Sequence, residues 1–214
     1  MGAREQDPVW ERVEVGLAQL GMTVTSDQRE RMLAFLDLLQ RWNGVYNLTA
    51  VRAPLEMVPK HLLDSLSAQP YLFGDSVLDV GTGPGLPGIP LAIVEPGRSF
   101  HLLDSNGKKT RFARQAAMEL GLENVTVIQM RMESYLPERK FATIVSRAVT
   151  SVPELLAATG RLLATPARLL AMKGLRPGDD ELRQLDPSPD TLRIHPLTVP
   201  FLVGERHLID LQYD

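Results

Sequence analysis

The spacing of apolar residues changes character near residue 74. Before it, Met32, Leu33, Leu36, Leu39 and Trp42 recur at helical intervals, behind a capping box that Thr25 and Gln28 can form. That stripe reads as a packing face rather than a binding groove. Asp7-Pro8 offers an N-cap and first-turn pair for an earlier helix stopping near Gly21. Pro54 can open a third helix, and Pro59 can restart it through Leu62, Leu63 and Leu66. After Gly74, short apolar runs alternate with helical stretches, the pattern of a parallel sheet covered by helices. Strands are expected at 76–80, 99–103, 125–129, 142–146, 167–173, 192–199 and 206–213. The clearest helices are 107–120, closed by Gly121, and 152–164, opened by the capping box Ser151 to Glu154. Pro177 to Asp190 reads as a polar loop or short helix. Val203-Gly204-Glu205 leaves room for only a tight connection, so the last two strands should form an antiparallel hairpin. The expected fold is α/β: residues 1–73 form a helical extension, and 74–214 a seven-stranded Rossmann-like sheet ending in that hairpin.

Composition narrows the chemistry. The 214 residues are 44% hydrophobic and 23% charged, ordinary for a globular chain with a sizeable core. No run approaches 18 apolar residues and residues 1–7 contain no apolar signal-like stretch, so a cytoplasmic location and no membrane span are expected. There is no cysteine. Disulfides, cysteine-held iron–sulfur clusters and cysteine-type structural zinc are therefore excluded, as is a thiolate nucleophile. The four histidines show no metal-ligand spacing, and no metal is expected. Nothing suggests an exposed apolar patch, and a monomer is expected. Net charge is −3, but Lys108, Lys109, Arg111, Arg114, Arg131, Arg139, Lys140 and Arg147 crowd one stretch against Glu119, Glu123, Glu133 and Glu138. That bias fits either a basic face near a site or an ordinary solvated surface.

The candidate chemistry starts where the run Val77-Leu78-Asp79-Val80 breaks into Gly81-Thr82-Gly83-Pro84-Gly85-Leu86-Pro87-Gly88. Glycines let the chain turn tightly and bring bare backbone close to a ligand. Asp79, an acid at the end of the first strand, suits a ligand bearing an amino group or cation, such as S-adenosylmethionine. Residues 83–88 also fit the dinucleotide pattern G-x-G-x-x-G. Against that reading, the glycine turn already starts at Gly81, and Pro84 and Pro87 remove N–H groups that a phosphate cradle needs. A glycine turn without a ligand is the third possibility. A parallel sheet closed by a hairpin is the usual shape of the class I methyltransferase, and NAD-binding domains do not normally end so.

In such a sheet the ligand lies beyond the carboxyl ends of the strands. Asp104, with Ser105 beside it, is placed to accept both ribose hydroxyls or, alternatively, to help cap helix 107–120. Met132 can cover an adenine and Glu133 mark its polar edge, unless Glu133 is simply solvated. Leu86 offers an apolar wall or a plain core leucine. Arg147, ending the fourth strand, could pair with a cofactor carboxylate or a substrate phosphate. That strand ends Ser146-Arg147-Ala148-Val149, without the Asp/Asn-Pro-Pro-aromatic sequence of enzymes that methylate exocyclic amines. A ring nitrogen with a free lone pair, such as guanine N7, needs no base, so catalysis would be alignment and no general base is expected.

Six motifs in order carry a specific resemblance: Trp42 to Ala50, His61-Leu62-Leu63-Asp64-Ser65-Leu66, the Gly81–Pro90 loop, Asp104 to Phe112, Arg131-Met132-Glu133 and Ser146-Arg147-Ala148. Together they resemble the bacterial RsmG (GidB) family of 16S ribosomal RNA guanine-N7 methyltransferases, from about residue 30 to the final hairpin. The resemblance implies methyl transfer from S-adenosylmethionine to a guanine N7 in the 530 loop of 16S rRNA, with the rRNA or the small ribosomal subunit as partner. It maps cofactor positions onto Gly81, Leu86, Asp104, Met132, Glu133 and Arg147; Asp79, Gly83 and Ser105 join them from the strand-end reading. Relatives often carry Ser after the first glycine and Phe at position 86, where this chain has Thr82 and Leu86. Candidates for RNA or acceptor contact are His61, Lys108, Lys109, Arg111 and Arg206. No residue is assigned to catalysis beyond the candidates Asp64 and Arg147. His61 and Asp64, three apart, could share a helix face through a surface hydrogen bond or orient the guanine. A methyltransferase for a small molecule or protein, and a non-catalytic ribosome-assembly module, are the competing readings.

Overall fold

A computed structural model describes residues 7–147 and 151–214; Ala148 and Val149 of the fourth-strand motif lie outside the described residues. The first helix, α1 (Pro8–Gln19), starts where the Asp7 carboxylate accepts the Val9 N–H. Helix α2 (Ser26–Tyr46) opens on the full Thr25–Gln28 capping box and stops at Asn47. Asn47 adopts a left-handed φ of 51°, which asparagine tolerates better than most side chains. The third helical stretch departs from expectation. It runs as α3 (Pro54–Met57), a π-helical turn (Val58–Leu63) and α4 (Asp64–Leu66), so Pro59 widens the coil instead of restarting it. Proline has no N–H to donate and its ring crowds the preceding turn, and a wider turn relieves the crowding.

The sheet has seven strands: β1 (Ser76–Val80), β2 (Ser99–Asp104), β3 (Val125–Gln129), β4 (Phe141–Arg147), β5 (Leu163–Lys173), β6 (Thr191–Pro196) and β7 (His207–Tyr213). Their order is β3-β2-β1-β4-β5-β7-β6. The first five pair in parallel, and β7 inserts antiparallel between β5 and β6. The order turns back between β1 and β4, which places the topological switch point at their carboxyl ends. Helices α5 (Gly88–Val94), α6 (Gly107–Glu119) and α7 (Val152–Thr159) and the short α8 (Asp179–Leu182) complete the layers. One buried cluster joins Phe35, Leu39, Leu62 and Leu66 of the amino-terminal helices to Val77, Phe100 and Phe112. A second cluster packs Leu155 and Leu156 of α7 on Leu78, Ile144 and Leu169.

Three boundaries move by three residues or more, and one of them is the end of β6, at Pro196 rather than 199. Helix 152–164 ends at Thr159, passes through a 3-10 turn (Gly160–Leu162), and lets β5 begin at Leu163 rather than 167. The hairpin forms, but its connection is not tight. Pairing persists to Leu197, whose N–H donates to the Arg206 carbonyl; beyond it Pro200 has no N–H to offer. Phe201 (φ 61°) and Gly204 (φ 112°) then turn the chain through left-handed backbone.

Candidate functional site

The glycine loop after β1 is sewn to the end of β2. The N–H groups of Gly81 and Thr82 both donate to the Leu103 carbonyl, at 2.8 and 3.1 Å. The Gly83 N–H donates to Asp104 Oδ2 at 2.8 Å, and Asp104 Oδ1 accepts the Asn106 N–H at 2.7 Å. Asp104 thus ties two loops, while Asn106 caps α6 by accepting the Lys108 and Lys109 N–H groups. Gly81 and Gly83 have φ of 68° and 57°, conformations that strain other residues. At Gly88 the constraint is space, because a Cβ there would collide with Leu102 and the Asp79 carboxylate.

Asp79 lies beneath this loop, fully buried. Its Oδ2 accepts the Thr82 hydroxyl at 2.6 Å and the Gly88 N–H at 2.8 Å, and Oδ1 has no partner. Burial pushes its carboxyl up to about 7, against the pull of those two hydrogen bonds. The carboxylate therefore braces the loop from below and faces none of the grooves above it.

Three grooves run along the carboxyl ends of the strands. The first, about 160 Å³, is lined by Gly81, Asp104, Ser105, Met130, Arg131, Met132 and Glu133. The second, about 240 Å³, lies over Gly81, Thr82, Gly83 and Leu86, with Leu48, Thr49, His61, Lys109 and Arg147 as its walls. The third, about 230 Å³, holds Lys60, Asp64, Arg147, Met172, Lys173, Gly174 and Arg206. Gly81 is common to the first two and Arg147 to the last two, so they follow one another as a single crevice across the switch point.

The third groove is built on a charge bridge between distant elements. Asp64 is 4% exposed; Oδ2 accepts Arg147 Nη1 at 2.9 Å and Oδ1 accepts Arg206 Nε at 3.1 Å. Arg147 Nη1 also donates to the Lys60 carbonyl at 2.9 Å, a group that the π-helical turn presents. Two guanidiniums against one carboxylate leave the bridge with a net positive charge. Next to it, His61 donates from Nδ1 to the Lys60 carbonyl, since a carbonyl can only accept, and Nε2 accepts the Thr49 hydroxyl at 2.9 Å. Burial first, and then the Arg147 charge, push the His61 imidazole down to about 4, so it is neutral at pH 7. Asn43 holds Thr49 in place: its Oδ1 accepts the Thr49 N–H and its Nδ2 donates to the Val51 carbonyl. The shared helix face expected for His61 and Asp64 is thereby corrected. Both are buried, each side chain turns to its own partners, and they meet only through the backbone, where the Asp64 N–H donates to the His61 carbonyl.

Most of the expected positions meet in the crevice. Lys108 and Arg111 line none of the three grooves, and Leu86, 3% exposed, is a core leucine with one edge on the second. Thr49, Lys60, Thr82 and Lys173 were not anticipated as site residues. Thr49 sits inside the Trp42–Ala50 motif and Lys173 at a strand end, which are the signals that could have found them. Among the described residues no group of His, Cys, Asp or Glu is arranged to hold a metal ion, and no helix is long and apolar enough to cross a membrane.

Comparison with known proteins agrees with this fold. The plantazolicin methyltransferase BpumL, solved in complex with SAH, superposes with a TM-score of 0.59 at 13% identity, over 89% of this chain and 100% of its own. A SAM dependent methyltransferase from Aquifex aeolicus superposes with a TM-score of 0.54 at 18% identity, over 74% and 93%. Such low identities establish the fold alone, the Rossmann-like sheet of SAM-dependent methyltransferases. In sequence, the ribosomal RNA small subunit methyltransferase G of Methylococcus capsulatus is 52% identical over 200 residues, covering 94% of this chain and 97% of its own. Its counterpart from Marinobacter nauticus is 50% identical over 203 residues, covering 94% of each chain. Residues 28–209 match the GidB family, rRNA small subunit methyltransferase G, and the chain belongs to that family.

Proposed function

We propose that this protein transfers a methyl group from S-adenosylmethionine to N7 of a guanine in the 530 loop of 16S ribosomal RNA, by direct in-line displacement. The observation that carries the reading is the crevice itself. Its first half is a glycine-floored groove with an acid and a methionine-bearing turn, and its second is a cationic groove that begins at Arg147. The cofactor fits the first half: Gly81 is exposed on its floor, and a Cβ built at Gly83 would meet no side chain nearer than Lys109, at 3.9 Å. Asp104 would accept the ribose hydroxyls, Met132 cover the adenine, Glu133 mark its edge, and Arg147 pair with the carboxylate. When bound, S-adenosylmethionine supplies an electrophilic methyl group on a positive sulfur.

The chain's contribution is then alignment. Guanine N7 carries a lone pair and no proton, so no base is required. Both ring nitrogens of His61 are already hydrogen-bonded and burial opposes its protonation, and both carboxylate oxygens of Asp64 are tied to arginines. Neither is poised to remove a proton, which supports transfer by positioning alone. Lys173 and Arg206, with Lys60 beside them, would hold the phosphates flanking the target.

The test uses 16S rRNA and small ribosomal subunits from cells lacking their own enzyme for this position. Each is incubated with the protein and labelled S-adenosylmethionine, and N7-methylguanine is mapped by borohydride and aniline cleavage. A single new cleavage in the 530 loop is expected. Cofactor binding with no label in either RNA form would overturn the proposal in favour of a non-catalytic module, and label entering protein or small molecules would favour a different acceptor.

A further inference from the structure

Arg161 lines none of the three grooves; it stands in the 3-10 turn Gly160–Leu162 that follows α7. Its guanidinium nevertheless reaches across to the short turn Met132–Ser134 that walls the first groove. Nη2 donates to the Met132 carbonyl at 2.7 Å and the Glu133 carbonyl at 3.1 Å, and Nη1 donates to the Tyr135 carbonyl at 2.7 Å. Carbonyls at the carboxyl end of a helical turn run short of backbone donors, and a basic side chain is a fitting partner; here the Met132 carbonyl also accepts the Tyr135 N–H at 3.2 Å, which closes the turn. One planar fork satisfies three of them at once, a geometry that the compact ammonium of lysine cannot reproduce. Tyr135 is buried beneath the turn while Glu133 and Ser134 are exposed, so the turn is anchored on one side and open on the other.

We propose that Arg161 is a positioning residue for the cofactor, fixing the 132–135 turn so that Met132 and Glu133 are already set to receive the adenine. It touches no ligand; it removes the ordering that the turn would otherwise undergo on binding. The proposal rests on the assignment of the first groove to the adenosine half of S-adenosylmethionine.

The experiment compares Arg161→Ala and Arg161→Lys with Met132→Ala and the parent. Binding of S-adenosylmethionine and of adenosine alone is measured by calorimetry, and methyl transfer to small subunits by steady-state kinetics. Arg161→Ala should raise the Kd for both ligands about tenfold and raise KM for S-adenosylmethionine equally. Its kcat at saturating cofactor and KM for RNA should stay within about twofold of the parent. Arg161→Lys should recover part of the loss, and carries the test if the alanine variant does not fold. A general loss of structure would lower kcat and RNA affinity together, and that pattern would overturn the positioning role. If Met132→Ala weakens adenosine binding while the Arg161 variants bind like the parent, the Arg161 proposal is wrong. If Met132→Ala leaves adenosine binding unchanged, the groove assignment fails instead, and the proposal falls with it.

Discussion

Asp79, beneath the glycine loop, and His61, in the wall of the second groove, are buried groups whose titrations are shifted in opposite senses. Asp79 holds its proton up to about pH 7 when folded, against 3.8 for the ordinary group. The folded state therefore binds more protons between those values, and Asp79 makes stability fall as pH rises from about 4 to 7. His61 drops from 6.5 to about 4 on folding, so its contribution is lost as pH falls through the same window. Each slope is at most about 1.4 kcal/mol per pH unit, and over most of the range they offset one another. Single substitutions should expose them. By urea unfolding from pH 4.5 to 7.5, Asp79→Asn should lose stability on acidification more steeply than the parent, and His61→Gln should gain it. Parallel pH profiles for all three proteins would refute the pairing. Asp64 offers a harsher case, because its removal strands the Arg147 and Arg206 guanidiniums in a half-buried groove. Asp64→Ala should cost about 3 kcal/mol in the same assay; a loss under about 0.5 kcal/mol would mean that water already screens the bridge.

At the scale of elements, the capping box of α2 does more than start a helix. Thr25 and Gln28 exchange their hydrogen bonds as the S/T-x-x-E/Q pattern requires, and Gln28 Nε2 also donates to the Ile93 and Val94 carbonyls at the end of α5. Thr25→Ala should cost about 1 kcal/mol in thermal unfolding and Gln28→Ala about 2 kcal/mol, since only the latter uncovers a second helix end. Equal losses would show that the α5 contact contributes nothing. Both capping boxes were legible in the sequence because all of their information lies within four residues. The parallel strands were legible for a similar reason, as apolar runs between glycines and caps. The ends of α7 and β5, and the length of the hairpin connection, were not. Those depend on where Gly160 and Pro200 leave the chain relative to a distant neighbour. The π-helical turn at Pro59 is not legible either, because a lone proline does not reveal whether a helix breaks or widens.

For the whole molecule, the same division separates the two halves of the crevice. The glycine loop, Asp104 and the 132–133 turn follow strand ends directly, and a strand-by-strand reading finds them. The bridge joins residues 83 and 142 positions apart, and no local pattern announces that Asp64 will meet Arg147 and Arg206. Lys108 and Arg111 lie outside the crevice, where they can extend a cationic path for a long polyanion. Arg111→Ala should lower the slope of log affinity against log salt by about 0.7, the value for one lost phosphate contact on single-stranded nucleic acid, and leave cofactor binding unchanged. Filter binding at several salt concentrations measures this, and an unaltered slope would remove Arg111 from the RNA path.

The strand order has a consequence for how the protein comes into being. Its sheet does not close in the order in which it is synthesised: β6 pairs with β7, and β7 with β5, so β6 emerges before the strand that will hold it. Arg206 comes with that late strand, and Asp64 waits on it to complete the bridge. A nascent chain can therefore assemble the glycine loop and the first groove while still attached to the ribosome that makes it. The cationic groove is finished only after residue 206 has left the exit tunnel, so within the crevice the groove we assign to ribosomal RNA is completed after the one we assign to the cofactor.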